Sequence, residues 1–140
     1  MIGGSNAGAH LDRMAGASYP TEWLADCLRG QGLASLEQAV AHMTDVPARY
    51  FGLVGRGRIA EGFHADLVVF DPDTIGADGL RLHNDLPGES PRLYARAEGI
   101  HKVFVNGVLA VNDGKATGAL PGVVLRSGSH TETVPIPADA

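Results

Sequence analysis

Cysteine is nearly missing from this sequence. Cys27 stands alone among 140 residues, so no internal disulfide can form, and no Lys or His beside it marks an activated thiolate. It reads as a packed helix residue. Long apolar runs are missing too: nothing approaches the ~20 residues of a spanning helix, and the opening Met-Ile-Gly-Gly-Ser has no basic segment followed by an apolar stretch, as a signal peptide would. Neither a membrane span nor export is expected, which leaves a cytoplasmic location. Basic charge is in short supply. Eleven Lys and Arg face sixteen Asp and Glu, for a net charge of −5, and the basic residues are scattered singly, which disfavours nucleic-acid binding. The six histidines lie at positions 10, 42, 64, 83, 101 and 130, never closer than 18 residues. No His-x-His or His-Glu-x-x-His pair exists, so a self-contained metal site is not expected. A Gly-x-Ser-x-Gly elbow, a phosphate-binding loop and a dinucleotide fingerprint are likewise absent.

What remains is the composition of a globular protein, 44% apolar and 19% charged, long enough for one ordinary core. From Ile2 to Tyr19 small residues dominate, which reads as a strand end passing into a tight loop. Thr21 can cap a helix over Glu22 to Arg29, with Trp23, Leu24, Cys27 and Leu28 on one face. Ser35 and Gln38 form a capping box ahead of the stripe Leu36, Ala39, Val40 and Met43. Thr44 opens a third, short helix that turns Ala48 and Phe51 inward and ends at Gly52. After Leu53 the pattern becomes β. Arg58 to Glu61 and Asp66 to Asp71 read as strands. Residues 74 to 98 lack periodicity and contain Pro87-Gly88 and Ser90-Pro91, so they read as a long irregular loop. Asn106-Gly107 between two apolar runs predicts a hairpin from Ile100 to Val111, since both residues tolerate the positive φ of a type I′ turn. Val123 to Leu125 reads as a last short strand, and the polar tail from Ser127 to Ala140 as frayed.

The strands pose a physical problem. Leu67 to Phe70 looks buried on both sides, yet the chain offers few partners to cover such a sheet or protect its edges. The polar candidates are few. In Gly3-Gly4-Ser5-Asn6-Ala7-Gly8-Ala9-His10, a small-residue loop brings Asn6 and His10 to the end of a strand, where barrel enzymes place catalytic groups; a Gly-rich turn bonded locally is the bland alternative. His64 reads as structural, Asp66 as a partner for backbone donors of a tight turn, and Arg92 and Arg96 as solvated charges that could also reach a substrate carboxylate or an adjacent protomer.

Residues 57 to 71, Gly-Arg-Ile-Ala-Glu-Gly-Phe-His-Ala-Asp-Leu-Val-Val-Phe-Asp, resemble the stretch by which amidohydrolase-superfamily chains return from their barrel to a small β domain. Val103-Phe104-Val105-Asn106-Gly107 is similar to the strand that follows it there. The opening loop, with Met43-Thr44-Asp45-Val46-Pro47-Ala48-Arg49, resembles the N-acyl-D-amino-acid deacylase (D-aminoacylase) branch. The resemblance covers Ile2 to about Ser127.

It implies an α+β fragment: the last strand and helices of a (β/α)8 metal-dependent hydrolase barrel (residues 1–53), the C-terminal part of a composite β-sandwich (54–126) and a disordered tail (127–140). It further implies a zinc-dependent enzyme that hydrolyses N-acyl-D-amino acids, whose His-x-His pair and other metal ligands lie upstream, so that this portion is inactive and binds no zinc alone. The family carries Asp, as general base beside the metal, where this sequence has Asn6. Asn6 is therefore both the catalytic position and, by position, a weak metal-ligand candidate, and a carboxamide cannot take up a proton at neutral pH. His10 is the second candidate. The expected partners are an N-acyl amino acid, the missing barrel polypeptide and a further copy of the chain. The alternative is a non-catalytic β-rich module that pairs with a separately encoded barrel.

Overall fold

The computed structural model describes residues 4–5 and 8–135. Three short helices come first, α1 (Tyr19–Leu28), α2 (Leu36–Met43) and α3 (Asp45–Tyr50), followed by β1 (Leu67–Phe70), β2 (Gly76–Ala77), β3 (Arg81–Leu86), a 3-10 turn (Pro87–Glu89), β4 (Ser90–Tyr94), β5 (Ala97–Glu98), β6 (Ile100–Val105), β7 (Val108–Asn112) and β8 (Lys115–Ala116). The strands form a four-stranded sheet in the order β1-β6-β7-β8 and two antiparallel pairs, β2-β5 and β3-β4.

Local sequence explains most of the helical layer. The capping box is formed: the Ser35 hydroxyl accepts from the Gln38 N–H at 3.3 Å, and the Gln38 carboxamide oxygen accepts from the Ser35 N–H at 3.0 Å. α1 starts earlier than expected. Pro20 lies in its first turn, where a fixed φ suits a helix start, and the Thr21 hydroxyl donates to the Ser18 carbonyl instead of capping. Thr44 stands at the N-cap of α3, but its hydroxyl donates back to Val40. Ala48 is buried as expected, whereas Phe51 is exposed, because α3 ends at Tyr50 and Phe51 follows it as the C-cap.

The core is small. Leu24, Cys27, Ala39 and Ile75 form it, with Trp23, Leu28, Phe70 and Ile100 packed partly against it. Ile75 is fully buried, and it is reached through a tight crossing. Asp71 accepts from the Asp73 N–H and the Thr74 hydroxyl, which folds the chain so that Ile75 passes directly over Gly99. A Cβ on Gly99 would lie 2.6 Å from the Ile75 nitrogen. Arg29 fastens the same turn to α1 by donating to the carbonyls of Pro72 and Ile75.

The hairpin β6-β7 turns at Asn106 (φ 49°) and Gly107 (φ 79°), as type I′ geometry requires. Four expectations are corrected. Residues 58 to 61 form no strand; the Gly55 carbonyl accepts instead from the His64 N–H. Val123 to Leu125 forms no strand and has no strand partner among the described residues. Residues 74 to 98 are not an irregular loop, since they hold the β3-β4 hairpin on top of the short β2-β5 pair. Pro91 is compatible with β4 because that strand has a neighbour on one side only. Part of the tail is engaged and not frayed: Thr131 bridges to Leu53, and the Glu132 N–H donates to Gly52 at 2.7 Å, while residues 136–140 lie outside the described residues.

Burial on both faces of β1 is not found either. Val68 is 53% exposed, and a groove of about 1010 Å³ runs between α1, α2 and the main sheet, lined by Leu24, Val40, Met43, Phe70, Ile100 and Val103 among others. Nothing within the described residues fills it.

Candidate functional site

Asn6 lies outside the described residues. Its neighbour in the opening loop, His10, is exposed with φ 48°, and its carbonyl accepts from the Arg13 and Met14 N–H groups at 2.8 and 2.9 Å, closing a tight turn. The His10 imidazole has no hydrogen-bond partner among the described residues. It is thus available to a ligand. The turn is anchored through Leu11, whose carbonyl accepts from the Leu93 N–H at 2.7 Å, so β4 is bonded to the turn that begins at His10.

His10 is the loop's one imidazole, and no cluster of three or more His, Cys, Asp or Glu that could hold a metal exists among the described residues. These residues do not by themselves fit a metal centre. Cys27 is no nucleophile: burial, and then the nearby Asp26 carboxylate, push its thiol above the ordinary range, which keeps it protonated.

The other polar candidates are structural. Asp66 accepts from the Asn106 N–H at 2.8 Å and pairs with Arg56. His64 meets the Asn106 carboxamide at 3.1 Å, and Asn106 donates to Pro121 at 2.8 Å. This network ties the entry to β1, the tip of β6-β7 and the strand-free segment after β8. Arg92 is engaged as well. It grips Asp85 with two hydrogen bonds of 2.5 and 2.7 Å and lies 4.7 Å over the Tyr94 ring, so that Arg92 holds the Asp85 carboxyl below the usual range. Arg96 remains exposed at the rim of the apolar groove.

Sequence reasoning missed the β3-β4 hairpin, although a signal was present: Pro87-Gly88 is a turn pair, and Asp85 and Arg92 stand at complementary places on either side of it. No helix among the described residues is long and apolar enough to cross a membrane.

Comparison with known proteins adds a second line of observation. A model described as an amidohydrolase family matches residues 5–111. D-aminoacylase of Alcaligenes xylosoxydans xylosoxydans is 44% identical over 97 residues, covering 69% of this chain and 18% of the relative. N-acyl-D-aspartate deacylase of the same organism is 39% identical over 117 residues, covering 79% and 22%. A solved D-aminoacylase, described by the functional role of its binuclear metal center, superposes with a TM-score of 0.57 at 39% identity over 71% of this chain and 19% of that one. The chain therefore spans about one fifth of the length of the relatives it matches.

Proposed function

The chain belongs to the amidohydrolase family, its similarity lying with the D-aminoacylases, and from that premise we propose that it is the C-terminal portion of a zinc-dependent enzyme that hydrolyses the amide of N-acyl-D-amino acids. The observation that carries this reading is the match of residues 5–111 to the amidohydrolase family together with the 39–44% identity to deacylases. The apolar groove and the exposed faces of β1 support it from the physical side, because a longer polypeptide would cover them.

In this reading the zinc ligands come from outside the described residues, and the chain itself supplies the loop from Gly3 to His10. Position 6 would take the proton from the attacking water and deliver it to the departing amine. Asn6 cannot do so at neutral pH, so the enzyme is crippled as it stands and the isolated chain is inactive. His10, exposed in the same loop, would be the residue that bonds the substrate. A second reading, a β-rich module that pairs with a separate barrel polypeptide, draws on the same uncovered surface.

The test places this chain in frame with the upstream coding sequence and measures amine release from N-acetyl-D-leucine and N-acetyl-D-aspartate, before and after replacing Asn6→Asp. General-base contributions run to roughly 10²–10⁴-fold, and a rise of that order is expected. No gain on either substrate rules out the role assigned to position 6. If no barrel is encoded in frame and a separate barrel chain co-purifies, the module reading stands instead.

A further inference from the structure

The tip of the β6-β7 hairpin has no part in the functional reading, yet it carries the dipeptide of this chain most prone to covalent change. An asparagine carboxamide is open to attack by the backbone nitrogen that follows it, and glycine, with no Cβ, leaves that nitrogen the least hindered. Of the four asparagines only Asn106 precedes a glycine; Asn6 precedes Ala7, and Asn84 and Asn112 precede Asp85 and Asp113. The reaction needs only water. The Gly107 nitrogen bonds to the Asn106 Cγ and gives up its proton, the Cγ–Nδ2 bond breaks, and the carboxamide nitrogen leaves with that proton as ammonia. Water then opens the cyclic imide at either carbonyl, giving aspartate or isoaspartate.

Both reacting groups are tied up by the fold. The Gly107 N–H donates to the Ala65 carbonyl at 2.9 Å. The Asn106 carboxamide donates to the Pro121 carbonyl at 2.8 Å, and its oxygen meets His64 Nδ1 at 3.1 Å and Arg56 Nη2 at 3.5 Å. The Asn106 N–H donates to Asp66 Oδ1 at 2.8 Å, which fixes the turn at the positive φ of both residues. Cyclisation requires the nitrogen free and the carboxamide swung onto it. It therefore proceeds only in molecules where these ties have opened, at a rate set by the open fraction.

We propose that Asn106-Gly107 is a deamidation site held closed by the contacts from residues 64–66 and 121, and that its conversion unfastens the segment after β8. The product carboxylate has no donor to offer Pro121. It also stands beside the Asp66 carboxylate, with Arg56 between them, so like charges meet where a neutral group sat. The proposal is independent of the deacylase reading.

The experiment has two arms. The 140-residue chain is kept at mildly alkaline pH, in native buffer and in urea sufficient to unfold it, and conversion is read from the mass and isoaspartate content of the Asn106 peptide, with Asn84 and Asn112 as internal references. In urea Asn106 should convert ahead of both. In native buffer it should convert at least about tenfold more slowly, the effect of having to open more than one hydrogen bond. His64→Ala, which removes one tie to the carboxamide, should raise the native rate about fivefold and leave the rate in urea unchanged. A parent that converts as fast in native buffer as in urea overturns the proposal, and so does a folded His64→Ala chain that converts no faster than the parent. The parent comparison needs no variant and decides the matter even where His64→Ala fails to fold. In the second arm Asn106→Asp is made directly, and the Thr117 amide, which donates to Ala110 at 3.0 Å, should exchange faster while the amides between β6 and β7 keep their protection. Unchanged exchange at Thr117 overturns the unfastening.

Discussion

Asp85 shows what a single carboxylate contributes here. The hydrogen bonds from Arg92 are the main reason its pKa is lowered. A group with a lower pKa folded than unfolded contributes stability that is present above the unfolded value of ~3.9 and lost as pH falls through the folded one. The β3-β4 hairpin should thus be unchanged between pH 7 and pH 5 and should loosen below about pH 4. Asp71 is lowered too, by the Asp73 N–H and then the Thr74 hydroxyl, so the same window would also disturb the turn beneath Ile75. Asp85→Asn separates the two. The variant's hairpin should exchange faster at pH 7 and lose its own pH dependence, while the Asp71 turn still responds; NMR of the Arg92 side-chain N–H and the Leu93 amide reads the difference. A hairpin in the parent that stays intact at pH 2 would contradict this. Little of it was legible in the sequence. Asp85 and Arg92 are seven residues apart in a stretch without periodicity, and only the fold reveals that a turn brings them together. Asn106-Gly107, by contrast, specified its hairpin outright, because few residue pairs tolerate that backbone.

Among the elements, legibility followed the reach of the interaction. The α2 capping box is closed by residues three apart and was readable, as was the 3.6-residue stripe that buries Ala39. β3 and β4 were not, because their alternation is broken by Pro87-Gly88 and Pro91 and their stability comes from side chains paired across the turn. The Ile75–Gly99 crossing was equally hidden: a close approach between residues 24 positions apart leaves no local mark beyond one glycine among 19. Its consequence is measurable. Gly99 has φ 72°, and an added Cβ would meet Ile75 backbone atoms at 2.6 and 2.7 Å, which no side-chain rotation can relieve. Gly99→Ala should therefore destabilise the joint between α1 and β2 at least as much as Ile75→Ala, for which emptying a fully buried site predicts ~2–5 kcal/mol. Urea titration followed by Trp23 fluorescence compares the two, Trp23 being packed against this core. A Gly99→Ala chain as stable as the parent would show that the crossing relaxes without cost.

At the scale of the whole molecule, sequence and structure meet on one quantity, the apolar surface left over. The sequence offered more strand-like apolar segments than partners for them, and the structure exposes 9751 Å², well above the ~6,900 Å² expected of a compact monomer of this mass. Ile59 is 91% and Leu120 95% exposed, and Val123 and Val124 lie open on a segment without a strand partner. These residues and the groove lined by Met43, Phe70 and Val103 are far from the opening loop in sequence, so they need not share its chemistry. A further polypeptide would cover them, and the relatives are roughly three and a half to four times longer than this chain, since the matched 69% and 79% of it are 18% and 22% of them. The isolated chain should accordingly bind an apolar dye such as anilinonaphthalene sulfonate with enhanced fluorescence, and the signal should drop sharply when the remaining polypeptide is attached. Val124→Lys separates surface from core. Because Val124 is exposed, the substitution should leave the isolated chain's melt unchanged within ~0.5 kcal/mol, yet weaken the longer protein by more than that as a charge is forced into a covered face. An isolated chain that leaves the dye dark would mean that its sheet needs no partner.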